Sequence, residues 1–294
     1  MNATFDLQNV SEDYLSDPYR TLAELRAHSP VHKNNDGTFT LTCYSDIVQT
    51  YRDPLIWSSD KQSVFKPKFG NTPLFEHHTN SIVFIDPPDH TRIRNLFQSA
   101  FTRKALAAFI PRITGLVDEY LDRFEDQGKM EVVEEFSFRL PIEVVCDLLG
   151  VPRQDRELIR GWANSILTAL EPTLMQKQLD DGNQAVVDFK QYLRDLIAYR
   201  RVHPHDAKDT EVLTILADAE ADGKGLTEVE LLHQCIFMLN AGHETSTNMI
   251  SHGIHEMLLN PDQIDLLSKS PDLIEPMVEE VLRYQAPIQI NNRQ

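Results

Sequence analysis

Residues 227–260 read TEVELLHQCIFMLNAGHETSTNMISHGIHEMLLN. Thr227-Glu228-Val229-Glu230 is a capping box, in which the first hydroxyl and the carboxylate three residues on satisfy each other's backbone N–H groups. Asn260-Pro261 is the matching stop, because a proline forces the residue before it out of helical geometry. Between them lies one helix about 50 Å long at 1.5 Å per residue. Such a helix must run through the core or along a whole face. Its approach is apolar, with Leu231, Leu232, Cys235, Ile236, Phe237, Met238 and Leu239. Then comes Ala241-Gly242-His243-Glu244-Thr245-Ser246-Thr247, which breaks local rules. A glycine inside a helix costs about 1 kcal/mol relative to alanine. A run of hydroxyl residues competes for backbone carbonyls. Rules broken in the middle of a strong element point to function.

Small Ala241 and Gly242 let a flat, large group approach the backbone. The Thr245 hydroxyl lies one turn after Ala241 and can disturb that carbonyl's hydrogen bond. An acid beside an alcohol, Glu244 and Thr245, is what a proton-delivery step uses. The structural alternative is a helix crossing that needs small residues, with Glu244 in solvent. A zinc-protease reading of His243-Glu244 fails, because the position of the second ligand is Thr247. His252 and His255 are neighbours on the same helix, and a solvated or core pair outweighs a metal site. No metal ligand set is assigned.

Outward from this helix, the chain has 294 residues, 41% hydrophobic and 25% charged, with 28 Lys+Arg against 45 Asp+Glu and a net charge of −17. This is an ordinary globular composition, not that of a disordered chain. The acidity argues against nucleic acid, whose phosphates need a basic patch, and against an anionic membrane surface. No stretch is apolar enough to span a membrane, and the N-terminus has no secretory pattern. The three cysteines, Cys43, Cys146 and Cys235, form no CxxC pair and no disulfide framework, so a cytoplasmic location is expected.

The fold expected is mainly α with a small β portion. A short helix follows Asp17-Pro18, and a hairpin turns at Asn34-Asn35-Asp36-Gly37 between Val31-His32-Lys33 and residues 38–43. Ser45 is read as capping a helix through Tyr51. Residues 54–89 show no clean period and read as a long aromatic loop. Helices are expected near 89–98, 103–127, 138–149, 153–170, 176–201, 208–220, 262–269 and 272–285, with an extended segment from Pro287 to Gln294.

Three further features join the first. His90 and Arg94, at i and i+4 after Asp86-Pro87-Pro88-Asp89, project two donors from one helix face, which suits a carboxylate. Glu280 and Arg283 form an i, i+3 pair in Glu-Val-Leu-Arg. Arg293 stands alone in an apolar extended segment ten residues later. Taken with DPYRTLAELRAHSPVH (17–32), DPPDHTRIRNLFQSAF (86–101), AGHETST (241–247), EEVLR (279–283) and PIQINNR (287–293), the chain resembles the cytochrome P450 family of haem-thiolate monooxygenases, of the soluble bacterial type.

The resemblance implies one incomplete haem-monooxygenase domain over residues 1–294, about the first three quarters of the family's length. It implies haem b as cofactor, with His90 and Arg94 on one propionate and Arg293 on the second. Ala241 and Gly242 would pack over the distal haem face, Thr245 would bond iron-bound oxygen, and Glu244 would relay protons. Phe237 and Asn240 would face the substrate, with the 65–85 segment and residues 169–180 as further lining. Glu280 and Arg283 would be structural, tying their helix to the segment approaching the haem. The implied reaction uses dioxygen to hydroxylate or dealkylate a small, mostly apolar organic substrate. Electrons come from a ferredoxin and reductase or from a fused reductase, and a monomer is expected. The family's proximal cysteine lies in a glycine-rich loop downstream of the Glu-x-x-Arg helix, and no such loop is in this sequence. The expectation is therefore an N-terminal fragment, inactive alone. The alternative is a non-catalytic helical scaffold or binding protein that has lost the haem ligand.

Overall fold

The computed structural model describes residues 5–6, 10–101, 103–171, 174–203, 212–214, 216 and 225–294. The chain forms two compact units, one of residues 1–59 with 292–294 and the other of residues 60–291.

In the first unit, Ser11 and Asp17 cap the helices α1 (Glu12–Ser16) and α2 (Pro18–His28) by accepting from the Tyr14 and Arg20 N–H groups. Strands β1 (Val31–Lys33) and β2 (Phe39–Leu41) pair antiparallel, with Val31 opposite Leu41 and Lys33 opposite Phe39. The turn between them closes through Asp36 Oδ1, which accepts from Thr38 N at 2.9 Å, and through Gly37 at φ +87°, a value that favours glycine. Helix α3 (Tyr44–Arg52) starts two residues earlier than read from the sequence. Cys43 is its cap residue and makes no side-chain cap bond, while the Ser45 hydroxyl turns to Asp46. The unit's core is Phe5, Tyr14 and Leu25. Gln294 and Ser58 exchange backbone hydrogen bonds of 2.8 and 2.9 Å, so the last residue sits in an extended pairing.

The second unit is all helical among its described residues. It runs through α4 (Gln62–Phe69), α5 (Pro73–Asn80), α6 (Asp89–Ala100), α7 (Arg103–Glu125), α8 (Arg139–Leu148), α9 (Arg156–Thr168), α10 (Gln176–Val202), α11 (Glu228–Leu259), α12 (Pro261–Lys269) and α13 (Ile274–Tyr284). Short 3-10 turns and a π-helical turn at Val133–Ser137, just before α8, fill the joints. The expected helix at 208–220 lies largely outside the described residues.

The sequence reading of 54–89 as a loop is corrected by α4 and α5. Each has only eight residues, too short to establish a period, and Pro67 and Gly70 interrupt the pattern. Phe65 and Phe69 are one turn apart and buried together, so these aromatics serve the core. That core is a single large cluster in which α9 packs on α10, and α11 packs on α8, α9 and α10. Leu74, Phe189, Leu193, Leu232, Cys235, Ile236 and Leu239 are fully enclosed in it. No helix among the described residues is long and apolar enough to cross a membrane.

Candidate functional site

Helix α11 carries the centre of the site. Its start is built as the sequence indicates: Glu230 Oε2 accepts from Thr227 N at 2.8 Å, and Thr227 Oγ1 accepts from Glu230 N at 3.3 Å. The same Glu230 carboxylate receives Arg92 from α6, an ion pair that joins the two helices. The carboxyl is held below its ordinary range despite burial, because Arg92 and the Thr227 donors favour the anion. Arg92 was not singled out in the sequence. It lies two residues from both His90 and Arg94, about 200° away around a helix of 3.6 residues per turn. Its engagement with Glu230 therefore leaves His90 and Arg94 on the other side of α6. His90 is half-buried and Arg94 exposed, and Arg94 has no acidic partner among the described residues. An imidazole and an unpaired guanidinium one turn apart form a donor set for a carboxylate. They fit the propionate side of a haem. Arg293 belongs to the other unit, where its guanidinium lies 4.5 Å from the centre of the Tyr51 ring.

At the middle of α11 the Thr245 hydroxyl donates to the Ala241 carbonyl at 2.7 Å. This is the carbonyl to which the backbone N–H of residue 245 is directed in the helix ladder, so two donors compete for one acceptor. The Thr245 oxygen keeps its lone pairs and is half-buried. Glu244 beside it is exposed and has no partner among the described residues. The next hydroxyl pair repeats the motif, Thr247 donating to His243 O at 2.9 Å.

Gly242 has a packing reason of its own. A Cβ there would stand 2.8 Å from Val145 Cγ2 of α8. The small residue is thus required by the helix crossing, as the structural alternative in the sequence reading held. Ala241 is half-buried. His243 is buried, donates from Nε2 to Phe138 O at 3.0 Å and meets the Phe138 ring edge-on. Burial holds its pKa down, so it is a neutral core histidine. No group of three or more His, Cys, Asp or Glu side chains among the described residues could hold a metal ion. Asn240 is buried, and its Oδ1 has no hydrogen-bond partner. An orphaned amide oxygen of this kind marks a place where a ligand donor or water would be favoured. Phe237, one turn earlier, is half-buried.

Glu280 and Arg283 form a bidentate pair with two bonds of 2.6 Å. Both are well exposed. The segment after α13 is joined to α11 by other residues. Asn248 donates to Pro287 O at 3.2 Å, His252 lies 3.4 Å from Gln285 O, and Gln285 donates to Glu256 at 2.9 Å. Cys146 and Cys235 are enclosed in the apolar core, where burial pushes both thiols up to about 12. Neither offers a thiolate at neutral pH.

Residues 57–270 match the cytochrome P450 family. The chain is 34% identical over 281 residues to vitamin D(3) 25-hydroxylase of Pseudonocardia autotrophica, covering 95% of this chain and 67% of that protein. It is 32% identical over 300 residues to the biotin biosynthesis cytochrome P450 of Bacillus subtilis, covering 99% of this chain and 72% of the other. Among solved structures, CalO2 superposes with a TM-score of 0.87 at 28% identity, covering 95% of this chain and 69% of that one. P450BioI, solved with an acyl carrier protein bearing hexadec-9Z-enoic acid, gives 0.86 at 32% identity, over 97% and 72% of the two chains. A long central helix with an acid and an alcohol side by side, a donor pair on α6, and this shared architecture converge on one conclusion: the chain belongs to the cytochrome P450 family, the haem-binding monooxygenases.

Proposed function

We propose that this chain works as a haem-dependent monooxygenase that hydroxylates or dealkylates a small, mostly apolar organic substrate. Haem, when bound, supplies the iron at which dioxygen is reduced. The residues of this chain do the rest. Arg94 and His90 hold one propionate. Ala241 keeps the distal side free of bulk, while Gly242 lets α8 pack closely against the same turn of α11. Glu244 takes a proton from solvent and passes it toward Thr245 Oγ1. The 2.7 Å bond from that hydroxyl to Ala241 O holds it in place with a lone pair still open. This bond, next to an exposed, partnerless acid on the half-buried part of the helix, carries the reading. Phe237 supplies an apolar wall, and the Asn240 amide orients one polar group of the substrate. Two similar proteins support an apolar substrate: one is named for vitamin D3, the other was solved with a fatty acyl group.

The iron's thiolate is none of Cys43, Cys146 and Cys235. The core position and raised pKa of the last two support this. The 294 residues by themselves are therefore expected to be inactive, and their reduced, CO-treated form to lack the absorption band near 450 nm that names the family. Electrons are taken from a ferredoxin and its reductase or a fused reductase, in the cytoplasm. The test uses isotopically labelled dioxygen with the complete holoenzyme and a panel of apolar substrates. One labelled oxygen atom per product is expected, or labelled aldehyde on dealkylation before exchange with water. Turnover without label in product or water would overturn the proposal.

A further inference from the structure

Helix α5 is bound to its neighbours by polar contacts in an otherwise apolar core. His77 Nδ1 lies 3.3 Å from His233 Nδ1 of α11, and both rings are fully enclosed. A hydrogen bond between two such nitrogens needs one N–H and one lone pair, so it exists only while at least one ring is neutral. Charging the acceptor sets N–H against N–H. His78, the next residue, is wedged among Phe65, Phe69 and Phe84, and its Nε2 is buried without a partner. The turn that follows α5 is held by Gln234 of α11, whose amide accepts from Ile82 N at 3.0 Å and donates to Asn80 O.

We propose that the His77–His233 pair is an acid-released latch, which holds α5 and the turn through Phe84 against α11 at neutral pH and lets them go as the rings become charged.

The groups around the latch favour release. Lys68 of α4 and Lys190 and Arg194 of α10 bring positive charge toward the three rings. Glu76 of α5 is the facing anion. It lies 3.3 Å from His233 Nε2 and favours the charged ring, but its charge is already engaged by Lys190 at 2.9 and 3.0 Å. Burial is the main reason that all three histidines resist protonation. His233 is pushed down to about 4 and His78 to about 3, and His77 lies well below its ordinary value. A histidine whose pKa is lower when folded stabilises the closed form above about pH 6.5, and this stabilisation is lost as pH falls toward the folded value. Each histidine released therefore favours opening by about thirtyfold at pH 5. The device is independent of the oxygen chemistry.

Hydrogen exchange followed by mass spectrometry on the whole chain tests it. The readout is the peptide 73–84 against control peptides from α8 and α9, at pH 7.5 and pH 5, corrected for intrinsic rates. The expected result is at least about thirtyfold faster exchange of 73–84 at pH 5, with the controls unchanged. In His77→Asn/His233→Asn, where an amide replaces each Nδ1 and cannot titrate, the gain should shrink at least tenfold. If the double variant does not fold, either single variant serves, provided its protection at pH 7.5 equals the wild type's. Loss of protection by all peptides together, or an undiminished gain in the variants, would overturn the latch.

Discussion

The two halves of α11 are one continuous helix put to opposite uses. From Leu231 to Leu239 nearly every side chain is enclosed, and even the polar ones, His233 and Gln234, face groups of α5 and the turn after it. From Ala241 onward the helix is mostly half-buried, Glu244 stands partnerless, and Leu258 and Leu259 are exposed at its end. The first half is built to stay where it is. The second half gives up helix stability to place an acid and an alcohol side by side. What separates them is only the identity of residues 240–247, in which a buried amide, two small residues and three hydroxyls replace the aliphatic run.

The largest effect expected from this contrast is in the first half. Ile236→Ala should lower unfolding free energy by about 2–5 kcal/mol, since the side chain is fully enclosed and leaves a cavity. Denaturant titration reads it, and a loss no greater than for a surface position would break the comparison. A smaller effect of reversible sign is expected at the junction. Gly242→Ala gains about 1 kcal/mol of helix propensity but drives a methyl into Val145, at a cost of about 1–3 kcal/mol. Alone it should destabilise. In a Val145→Ala background the same change should stabilise, and the same sign in both backgrounds would show that the crossing does not select glycine. Smallest is Glu244→Gln, which should leave stability within about 0.5 kcal/mol of wild type, because the carboxylate is exposed and unpaired.

Much of the architecture was legible in the sequence because its signals are local. The capping box at Thr227 and the stop at Asn260-Pro261 bound α11 to the residue. The long helices α7 and α10 and the Gly37 hairpin were equally plain. What escaped is short or distant. Helices α4 and α5 have about two turns each, and the burial of their aromatics depends on α10 and α11. The partners of His77 and Asn80 lie more than 150 positions away, at His233 and Gln234. At the candidate site, Thr245, Glu244 and the His90–Arg94 face could be read from spacing alone. Arg92, the residue that anchors this face through Glu230, could not, because an arginine at that position has no local signature. The Glu280–Arg283 pair shows the converse. Its spacing correctly indicates an ion pair, but spacing does not say what else the pair touches, nor that the following segment is joined to α11 by Asn248, His252 and Gln285.

The central claim is that the second half of α11 is a reaction face. Thr245→Ala in the complete holoenzyme tests it most directly, with product formed per dioxygen consumed as the readout. The account predicts that dioxygen consumption and substrate binding persist while product per dioxygen falls at least about tenfold, as expected for loss of a positioned hydroxyl on the proton path. Product per dioxygen equal to the wild type's would contradict it and leave the Thr245–Ala241 bond as a feature of helix geometry alone.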